Sequence, residues 1–146
     1  MYYIGGDFII TEKMKKIVFY MKKSLDNNLK EYNLTTVQLL ILMYLNENSD
    51  KEIIQKNICE HLSLKHSTVI EITKKLELKK FVNKDTNHKS VLTITKEGKK
   101  LLNKIGANKG FIENKLLDGF SLDEINILSE QLDRMYKNIQ GALDEK

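Results

Sequence analysis

The segment from residue 55 to residue 98 constrains the possible fold more than any other part of this chain. It contains two short amphipathic stretches that meet at a polar turn, residues 63–65, and a candidate two-stranded hairpin after the second stretch. This order is typical of a helix-turn-helix with a β-wing, in which the second helix enters the DNA major groove. The pattern therefore predicts a protein that reads DNA and carries out no chemical reaction.

The composition is that of an ordinary globular protein. The length of 146 residues suits one domain with a real core, and 41% of the residues are hydrophobic. No apolar run is long enough to cross a bilayer, and the N-terminal segment lacks the basic region and cleavage site of a signal peptide. The single cysteine excludes an internal disulfide, which suits a reducing compartment. These features predict a cytoplasmic protein without membrane contact.

Positive charge is concentrated in the segment that has the DNA-reading pattern. Residues 51–100 contain twelve lysines and six acidic residues, a balance of +6, whereas the whole chain carries +4, which leaves −2 for the rest. This distribution favours an anionic partner such as DNA. The alternative is that Lys74, Lys75, Lys79 and Lys80 only solvate a helix face.

Two further helices are predicted ahead of this segment. Apolar residues at intervals of three and four predict a first helix over residues 8–31. A second helix begins after Thr35, which can form a capping box with Gln38. This helix is apolar nearly all round, and we therefore expect it at the centre of the fold.

The reading segment itself divides into two helices and a hairpin. The third helix is predicted to end near residue 62, and residues 52–54 before it are either a short strand or simply its entry. The fourth helix, over residues 66–80, should be the reading helix. A strand from residue 81, a polar tip over 83–90 and a returning strand over 91–94 complete the wing. The side chains expected to form the buried stripe of the fourth helix are Val69, Ile72, Leu76 and Leu78.

Two amphipathic stretches follow the wing. Thr95 can cap a fifth helix, in which Gly106 and Gly110 make a bend plausible, and Ser121 opens a second capping box with Glu124. The last helix is predicted to bury Leu122, Ile125, Leu128, Leu132, Met135 and Ile139. The terminal helices carry more apolar residues than a winged-helix core needs. We therefore expect them to pair with each other and with a second copy, the alternative being a monomer that buries these stripes internally.

The ordered pieces of the chain resemble the MarR family of winged-helix transcription factors over essentially the whole length. The matching pieces are Leu34-Thr35-Thr36-Val37-Gln38-Leu39-Leu40-Ile41-Leu42, Asn57-Ile58-Cys59-Glu60-His61-Leu62, Ser67-Thr68-Val69, Lys75-Leu76-Glu77, Phe81-Val82, Leu92-Thr93-Ile94-Thr95-Lys96-Glu97-Gly98 and Ser121-Leu122-Asp123-Glu124. The resemblance implies an obligate homodimer joined through its first and last helices that binds palindromic operators. It also implies repression that is often relieved by a small-molecule effector or by oxidation.

The expected fold class is mainly α with a small β-hairpin wing. We predict a single domain over residues 1–146, with a DNA-binding lobe at 34–98 and dimerisation helices at 6–31 and 99–146.

Three positions depart from the family pattern. The wing is short and lacks the family's Asp-x-Arg, because Thr86, Asn87 and His88 stand there, followed by Lys89. The arginine that would enter the minor groove is therefore missing, and lysine is a poorer probe of a narrow groove. The reading helix has Glu71 where the family often has arginine. Its usual small polar cap is replaced by Lys65.

The predicted DNA-contacting residues belong to the reading helix and the wing. They are Lys65, His66, Ser67, Thr68, Ile70, Glu71, Lys74, Lys75, Lys84, Asn87, His88 and Lys89. Hydroxyls, free N–H groups and a positive helix dipole at the start of the reading helix suit phosphate, and Ile70 could meet a thymine methyl. The alternative is that Ser67, Thr68 and Lys65 only cap the helix and that the wing tip is an ordinary polar turn. Gln55 and Lys56 could also reach phosphate.

The sequence gives weaker indications of a redox, metal or effector site. Cys59 falls on the inward face of the third helix, where a structural role is expected ahead of redox sensing. The three histidines are too scattered for a metal site, and no cofactor is expected. An effector pocket and plain core packing remain alternatives for Tyr20, Met21, Tyr32 and Met43.

The sequence also offers no enzyme motif. It has no glycine-rich phosphate loop and no nucleophile with a plausible base. The prediction is a homodimeric DNA-binding regulator, with a winged-helix module that binds protein as the alternative.

Overall fold

The computed structural model describes residues 9–107 and 110–144 of the chain. Within these ranges the elements are α1 (Ile10–Leu29), a 3₁₀ helix (Lys30–Tyr32), α2 (Thr36–Glu47), α3 (Gln55–Leu62), α4 (His66–Leu78), β1 (Val82–Asp85), β2 (Val91–Ile94), α5 (Lys96–Ile105), α6 (Phe111–Leu116) and α7 (Leu122–Asp144). The predicted fold class, mainly helical with a hairpin, is confirmed. The predicted first helix includes residue 8, which lies outside the described residues. The chain divides into two compact units, of which the first contains α1 to α5 and the second contains α6 and α7.

Helix α2 is the centre of the first unit, as its apolar sequence predicts. The predicted capping box is present: the Gln38 N–H donates to the Thr35 hydroxyl at 3.2 Å, and the Thr35 N–H donates to Gln38 Oε1 at 3.1 Å. Leu39, Ile41 and Leu42 on this helix are fully buried. Full burial of such side chains stabilises the fold by about 1.5–3 kcal/mol each, which makes α2 the main support for the helices around it.

The helix-turn-helix is built on a left-handed residue. Ser63 ends α3 with φ 54°, and the N–H groups of Ser63 and Leu64 both donate to the carbonyl of Cys59. Such a cap reverses the chain within three residues, so that α4 begins at His66. Helices α3 and α4 pack against each other, and Ile58 on α3 and Val69 on α4 are both fully buried. The predicted positions of both helices are confirmed within two residues.

The prediction that four residues form the buried stripe of α4 is wrong for one of them, Leu78. Val69 and Leu76 are fully buried and Ile72 is half-buried, but Leu78 is 81% exposed. Nine residues at about 100° each place Leu78 on the side of the helix opposite Val69. The fourth buried side chain is Thr73, whose hydroxyl donates to the Val69 carbonyl at 2.8 Å and lies 3.3 Å from Gln55 Nε2 on α3.

The wing is a two-stranded antiparallel hairpin whose strands pair from Val82 with Ile94 to Asp85 with Val91. Strand β2 has the predicted bounds, whereas β1 includes the first three residues of the expected tip, 83–85. Residues 52–54 do form sheet contact, because Ile53 makes a single bridge with Leu92 and accepts its N–H at 2.7 Å. The wing is thus tied to the connection between α2 and α3.

A tight turn closes the wing. Lys89 and Ser90 have φ of 53° and 57°, and the Val91 N–H donates to the His88 carbonyl at 3.1 Å. Two successive positive φ values are the requirement of a type I′ hairpin turn, which usually takes asparagine and glycine. Residues with a Cβ hold this conformation at a cost of roughly 1 kcal/mol or more each, so the turn is imposed by the strands around it.

We predicted one bent helix after the wing, but the structure has two helices there, α5 and α6. Gly106 adopts φ 76° and ends α5, and its N–H bonds back to the Leu102 and Asn103 carbonyls. The predicted cap is confirmed at the other end of α5, where the Gly98 N–H donates to the Thr95 hydroxyl at 3.1 Å. The glycine stops the helix because a left-handed residue satisfies the last carbonyls and turns the chain away.

The apolar stripes of α1 and α7 remain largely uncovered. On α1, Leu25 is buried, but the residues in the first half, such as Met14 and Ile17, are exposed. No described residue of α7 is buried in the single chain, so burial of its stripe against a second copy stays a prediction. The capping box that starts α7 is nevertheless present, with hydrogen bonds of 2.9 and 3.1 Å between Ser121 and Glu124.

None of the helices in the described ranges is both long and apolar enough to cross a membrane.

Candidate nucleic-acid interface

The start of α4 is open. The cap residue Lys65 is extended, and its side chain makes no capping hydrogen bond. The first helical N–H that bonds back into the turn is that of Val69, which donates to the Lys65 carbonyl. The N–H groups of His66, Ser67 and Thr68 therefore point out of the helix end, where the helix dipole favours negative charge. This is the arrangement that suits a phosphate oxygen.

One face of α4 is free of core contacts. Ser67, Ile70, Glu71 and Lys74 are spaced by three and four residues and are all exposed, which places them side by side along the helix. Ile70 is 37% exposed although its neighbour Val69 is fully buried. The face combines a hydroxyl, an apolar side chain and charges of both signs, a mixture that can contact base edges and thymine methyls.

The acidic side chain of this face forms an ion pair with the neighbouring Lys75. Lys75 Nζ lies 3.3 Å from Glu71 Oε1, one helical turn apart, and both side chains are more than half exposed. The pair is worth only a few tenths of a kcal/mol to the helix, but it offsets the repulsion between Glu71 and an approaching phosphate. Lys74 has no such partner among the described residues and presents a full positive charge.

His66 is positioned by the preceding helix. Its Nδ1 lies 3.7 Å from the Sγ of Cys59 on α3. Cys59 itself is half-buried, close to the inward position that its sequence predicts. The imidazole therefore sits at the junction of the two helices, at the open end of α4.

The wing tip is engaged with its own chain. His88 Nε2 lies 2.8 Å from Glu52 Oε1, and Lys89 Nζ lies 3.9 Å from Glu52 Oε2. The hydrogen bond from His88, its charge and that of Lys89 hold the pKa of the Glu52 carboxyl below its usual value. Asn87 directs its N–H to Asp85 Oδ1 at 3.0 Å, and Lys84 is half-buried on β1.

The sequence analysis did not identify Glu52 as a partner of the wing tip. It lies 36 residues before His88, and only the bridge between Ile53 and Leu92 brings it to the wing. The sequence signal was the ambiguous strand at residues 52–54, which hinted at a pairing but not at its partner.

The structure does not bring the four candidate effector residues together in one groove. Of the four residues considered for an effector, Tyr20 is exposed, whereas Met21, Tyr32 and Met43 are half-buried. A groove of about 330 Å³ on α1 includes Tyr20 but none of the other three. Among the residues that the structure describes, no cluster of three histidine, cysteine or acidic side chains could hold a metal ion.

An exposed reading helix with an open N-terminus, followed by a β-hairpin, defines a winged helix-turn-helix protein. Comparison with known proteins identifies the family. Residues 23–105 match the model of the SarA/Rot transcriptional regulators, and the chain belongs to that family, which has the MarR-like winged helix. It is a regulator family and not a family of enzymes.

Individual relatives agree with this assignment. The HTH-type transcriptional regulator YybA of Bacillus subtilis is 30% identical over 115 residues, which cover 76% of this chain and 75% of that protein. A MarR-family regulator from Listeria monocytogenes, solved with a 26mer DNA, has a TM-score of 0.77 at 26% identity, covering 90% of this chain and 89% of its own. The DNA complex of S. aureus MepR has a TM-score of 0.82 at 22% identity, covering 92% and 99%, a likeness that concerns the fold alone.

Proposed function

We propose that this chain regulates transcription by binding a palindromic operator as a homodimer, with α4 in the major groove and the wing against the flanking backbone. The observation that carries the proposal is the open N-terminus of α4 beside an exposed face that ends in Lys74. A helix of this kind places N–H donors on phosphate and side chains on base edges at the same time. The Listeria relative was solved with a 26mer DNA, which supports DNA as the partner of a chain with this fold.

The homodimer is proposed from the uncovered terminal helices. α1 has five lysines against two acidic residues, whereas α7 has five acidic residues against one lysine and one arginine. Both helices also expose apolar stripes. Apolar surface and opposite net charge on two helices of one chain suit a symmetric assembly, because each copy offers both halves of the interface. Two copies would place two α4 helices about one helical turn apart on the duplex.

The mode of action that we propose is repression, since a dimer seated on an operator occludes it. The site of action would be the cytoplasm, where bacterial operators are accessible. Control by a small-molecule effector belongs to the same proposal, with the half-buried Met21, Tyr32 and Met43 as the residues to probe first.

A second candidate function is a winged-helix module that binds protein instead of DNA. Glu71 on the exposed face and the missing wing arginine favour it, and so does the capture of His88 and Lys89 by Glu52. The two candidates differ in their dependence on salt. Several phosphate contacts make the logarithm of the affinity fall steeply with the logarithm of salt concentration, with a slope of about −0.9 for each contact.

The test is fluorescence anisotropy on the duplex upstream of the protein's own gene, with a random duplex as control, across a salt series. A regulator should bind the upstream duplex more tightly and with a steep slope on both duplexes. Equally weak, salt-insensitive binding to both would contradict the proposal and favour the protein-binding module.

A further inference from the structure

A single carboxylate contacts both basic side chains of the wing tip. Glu52 Oε1 faces His88 Nε2 at 2.8 Å, and Glu52 Oε2 faces Lys89 Nζ at 3.9 Å. The three side chains are all more than half exposed, so solvent and salt reach the cluster. A carboxylate that accepts from these donors occupies the position that a DNA phosphate oxygen would otherwise take.

The backbone fixes Glu52 opposite the tip. The residue after it, Ile53, is buried and pairs with Leu92 of β2 through a 2.7 Å hydrogen bond. Glu52 therefore lies beside the outer part of the hairpin, whatever its side chain does. The contact is built into the sheet and does not depend on a flexible loop finding its partner.

The tip is fixed from its own side as well. The His88 N–H donates to the Asp85 carbonyl at 3.2 Å, and the Val91 N–H donates to the His88 carbonyl at 3.1 Å. Between them, Lys89 and Ser90 hold left-handed conformations. Two consecutive turns thus present His88 and Lys89 on one side, toward Glu52.

No other charged side chain among the described residues forms an ion pair with the wing tip. The Asp85 carboxylate accepts the Asn87 N–H at 3.0 Å, and the described residues contain no ion pair of Lys84. Asp50 and Lys51 lie in the same connection as Glu52 but make no ion pair with the wing. Glu52 is therefore the acidic group that decides whether the tip carries free positive charge.

We propose that Glu52 is a positioning residue that keeps His88 and Lys89 off the DNA backbone, so that the wing makes fewer phosphate contacts than its cations allow. The proposal rests on DNA binding by this chain. Phosphate must displace a carboxylate already in place, and a lysine that stays on Glu52 releases no counterion from DNA. The wing would then serve as a restrained arm, and sequence reading would depend mainly on α4.

The test is a salt series on the operator duplex with the full chain carrying Glu52→Gln, compared with Asp50→Asn. Both substitutions remove one negative charge from the same connection, but only the first frees the wing tip. We expect Glu52→Gln to tighten binding roughly 2- to 5-fold at low salt and to steepen the log–log slope by about one per wing. Asp50→Asn should leave the slope unchanged.

A double-mutant cycle shows whether the gain comes from the tip. In a background with His88→Ala and Lys89→Ala, Glu52→Gln should behave as Asp50→Asn does. An equal gain in both backgrounds, or weaker binding by Glu52→Gln in the parent, would overturn the proposal. If the parent binds the upstream duplex no better than a random one and without salt dependence, the proposed function fails before this inference is reached.

A second comparison needs no change at Glu52. In the parent chain, Lys84→Ala should flatten the salt slope more than Lys89→Ala does, because Lys89 is already engaged. An equal or larger loss from Lys89→Ala would mean that Lys89 meets phosphate, and the proposal would be wrong.

Discussion

The carboxylate of Asp26 accepts two hydrogen bonds from Thr36, one from the backbone N–H at 2.8 Å and one from the hydroxyl at 2.6 Å. Asp26 lies near the end of α1, and the buried Thr36 is the first residue of α2. The contact therefore joins the helix that leads out of the winged-helix lobe to the helix at the centre of that lobe. It also satisfies an N–H that α2 cannot satisfy itself.

We expect Asp26→Ala to lower the free energy of unfolding by about 1–2 kcal/mol at pH 7, because the buried N–H and hydroxyl of Thr36 lose their acceptor. Burial raises the pKa of Asp26, but the hydrogen bonds of Thr36 and the charge of Lys22 outweigh it and lower the pKa below the usual value. A lowered pKa in the folded state means that the stabilisation is present above the unfolded-state pKa and is lost as pH falls through the folded-state pKa. Urea denaturation at pH 7 and near pH 3 measures this, and the difference between parent and variant should shrink in acid. A constant difference would show that the ionised carboxylate is not involved.

Gly98 is the glycine that the core requires. A Cβ added there would lie 2.6 Å from the Phe81 carbonyl oxygen and 2.7 Å from Ile94 Cγ1. Gly98→Ala should therefore cost about 1–3 kcal/mol of stability through overpacking. The matched control is Gly141→Ala on α7, where an added Cβ meets nothing within 4 Å and should stabilise by about 0.5–1 kcal/mol. Thermal and urea unfolding at one protein concentration compare the two, and equal effects would contradict the close approach at Gly98.

Lys74 should contribute to DNA affinity without contributing to sequence preference. Lys74→Ala is expected to weaken binding to all duplexes alike and to flatten the log–log salt slope by about one per reading helix. Lys100→Ala on α5 removes the same charge from an exposed position outside the proposed interface and serves as the control. A slope that changes as much for Lys100→Ala would mean that only net charge matters.

Ile70 should contribute to sequence preference. We expect Ile70→Ala to reduce the preference for the operator over duplexes mutated at single thymines, by roughly 1–3 kcal/mol at the affected base pair. Competition binding with a panel of singly mutated duplexes measures it. Since Ile70 carries no charge, its salt slope should equal that of the parent. Unchanged preference at every position would remove Ile70 from the interface.

The apolar stripe of α1 should hold the dimer together. Ile17 is 50% exposed and lies on the same side of α1 as Met14 and the buried Leu25. Ile17→Lys is expected to shift the protein toward monomer in sedimentation velocity over a concentration series. Phe19→Lys is the control, because Phe19 is also exposed, at 59%, but lies on the opposite side of the helix. Dissociation by Phe19→Lys alone would show that the wrong side was chosen.

Local signals predicted much of this fold. The caps at Thr35, Thr95 and Ser121 depend on side chains within three residues of the backbone groups they satisfy, and all three are present. These caps act over a single turn of chain. Gly106 acts as locally, but it ends α5 where a bend within one helix was expected.

Contacts distant in sequence could not be predicted in the same way. The buried Thr73 accepts a hydrogen bond from Gln55, which lies 18 residues earlier, and the wing tip contacts Glu52, which lies 36 residues before His88. Leu78 was expected inside because leucine is apolar, but its angle on the helix decides its environment. On α4, Ser67, Ile70 and Lys74 are all exposed, and their contact with DNA stays a prediction.

Because the start of α4 is open, the stability of the free protein and its affinity for DNA are linked. A helix that lacks its own cap is less stable in the free protein by about 1 kcal/mol than one that has it. A phosphate that bonds to the free N–H groups completes the first turn, so part of the binding free energy is recovered secondary structure. An aspartate or serine in place of Lys65 would stabilise the unbound protein and at the same time occupy the donors that the duplex needs. Under the proposed function, the nucleic acid itself supplies the cap that α4 lacks.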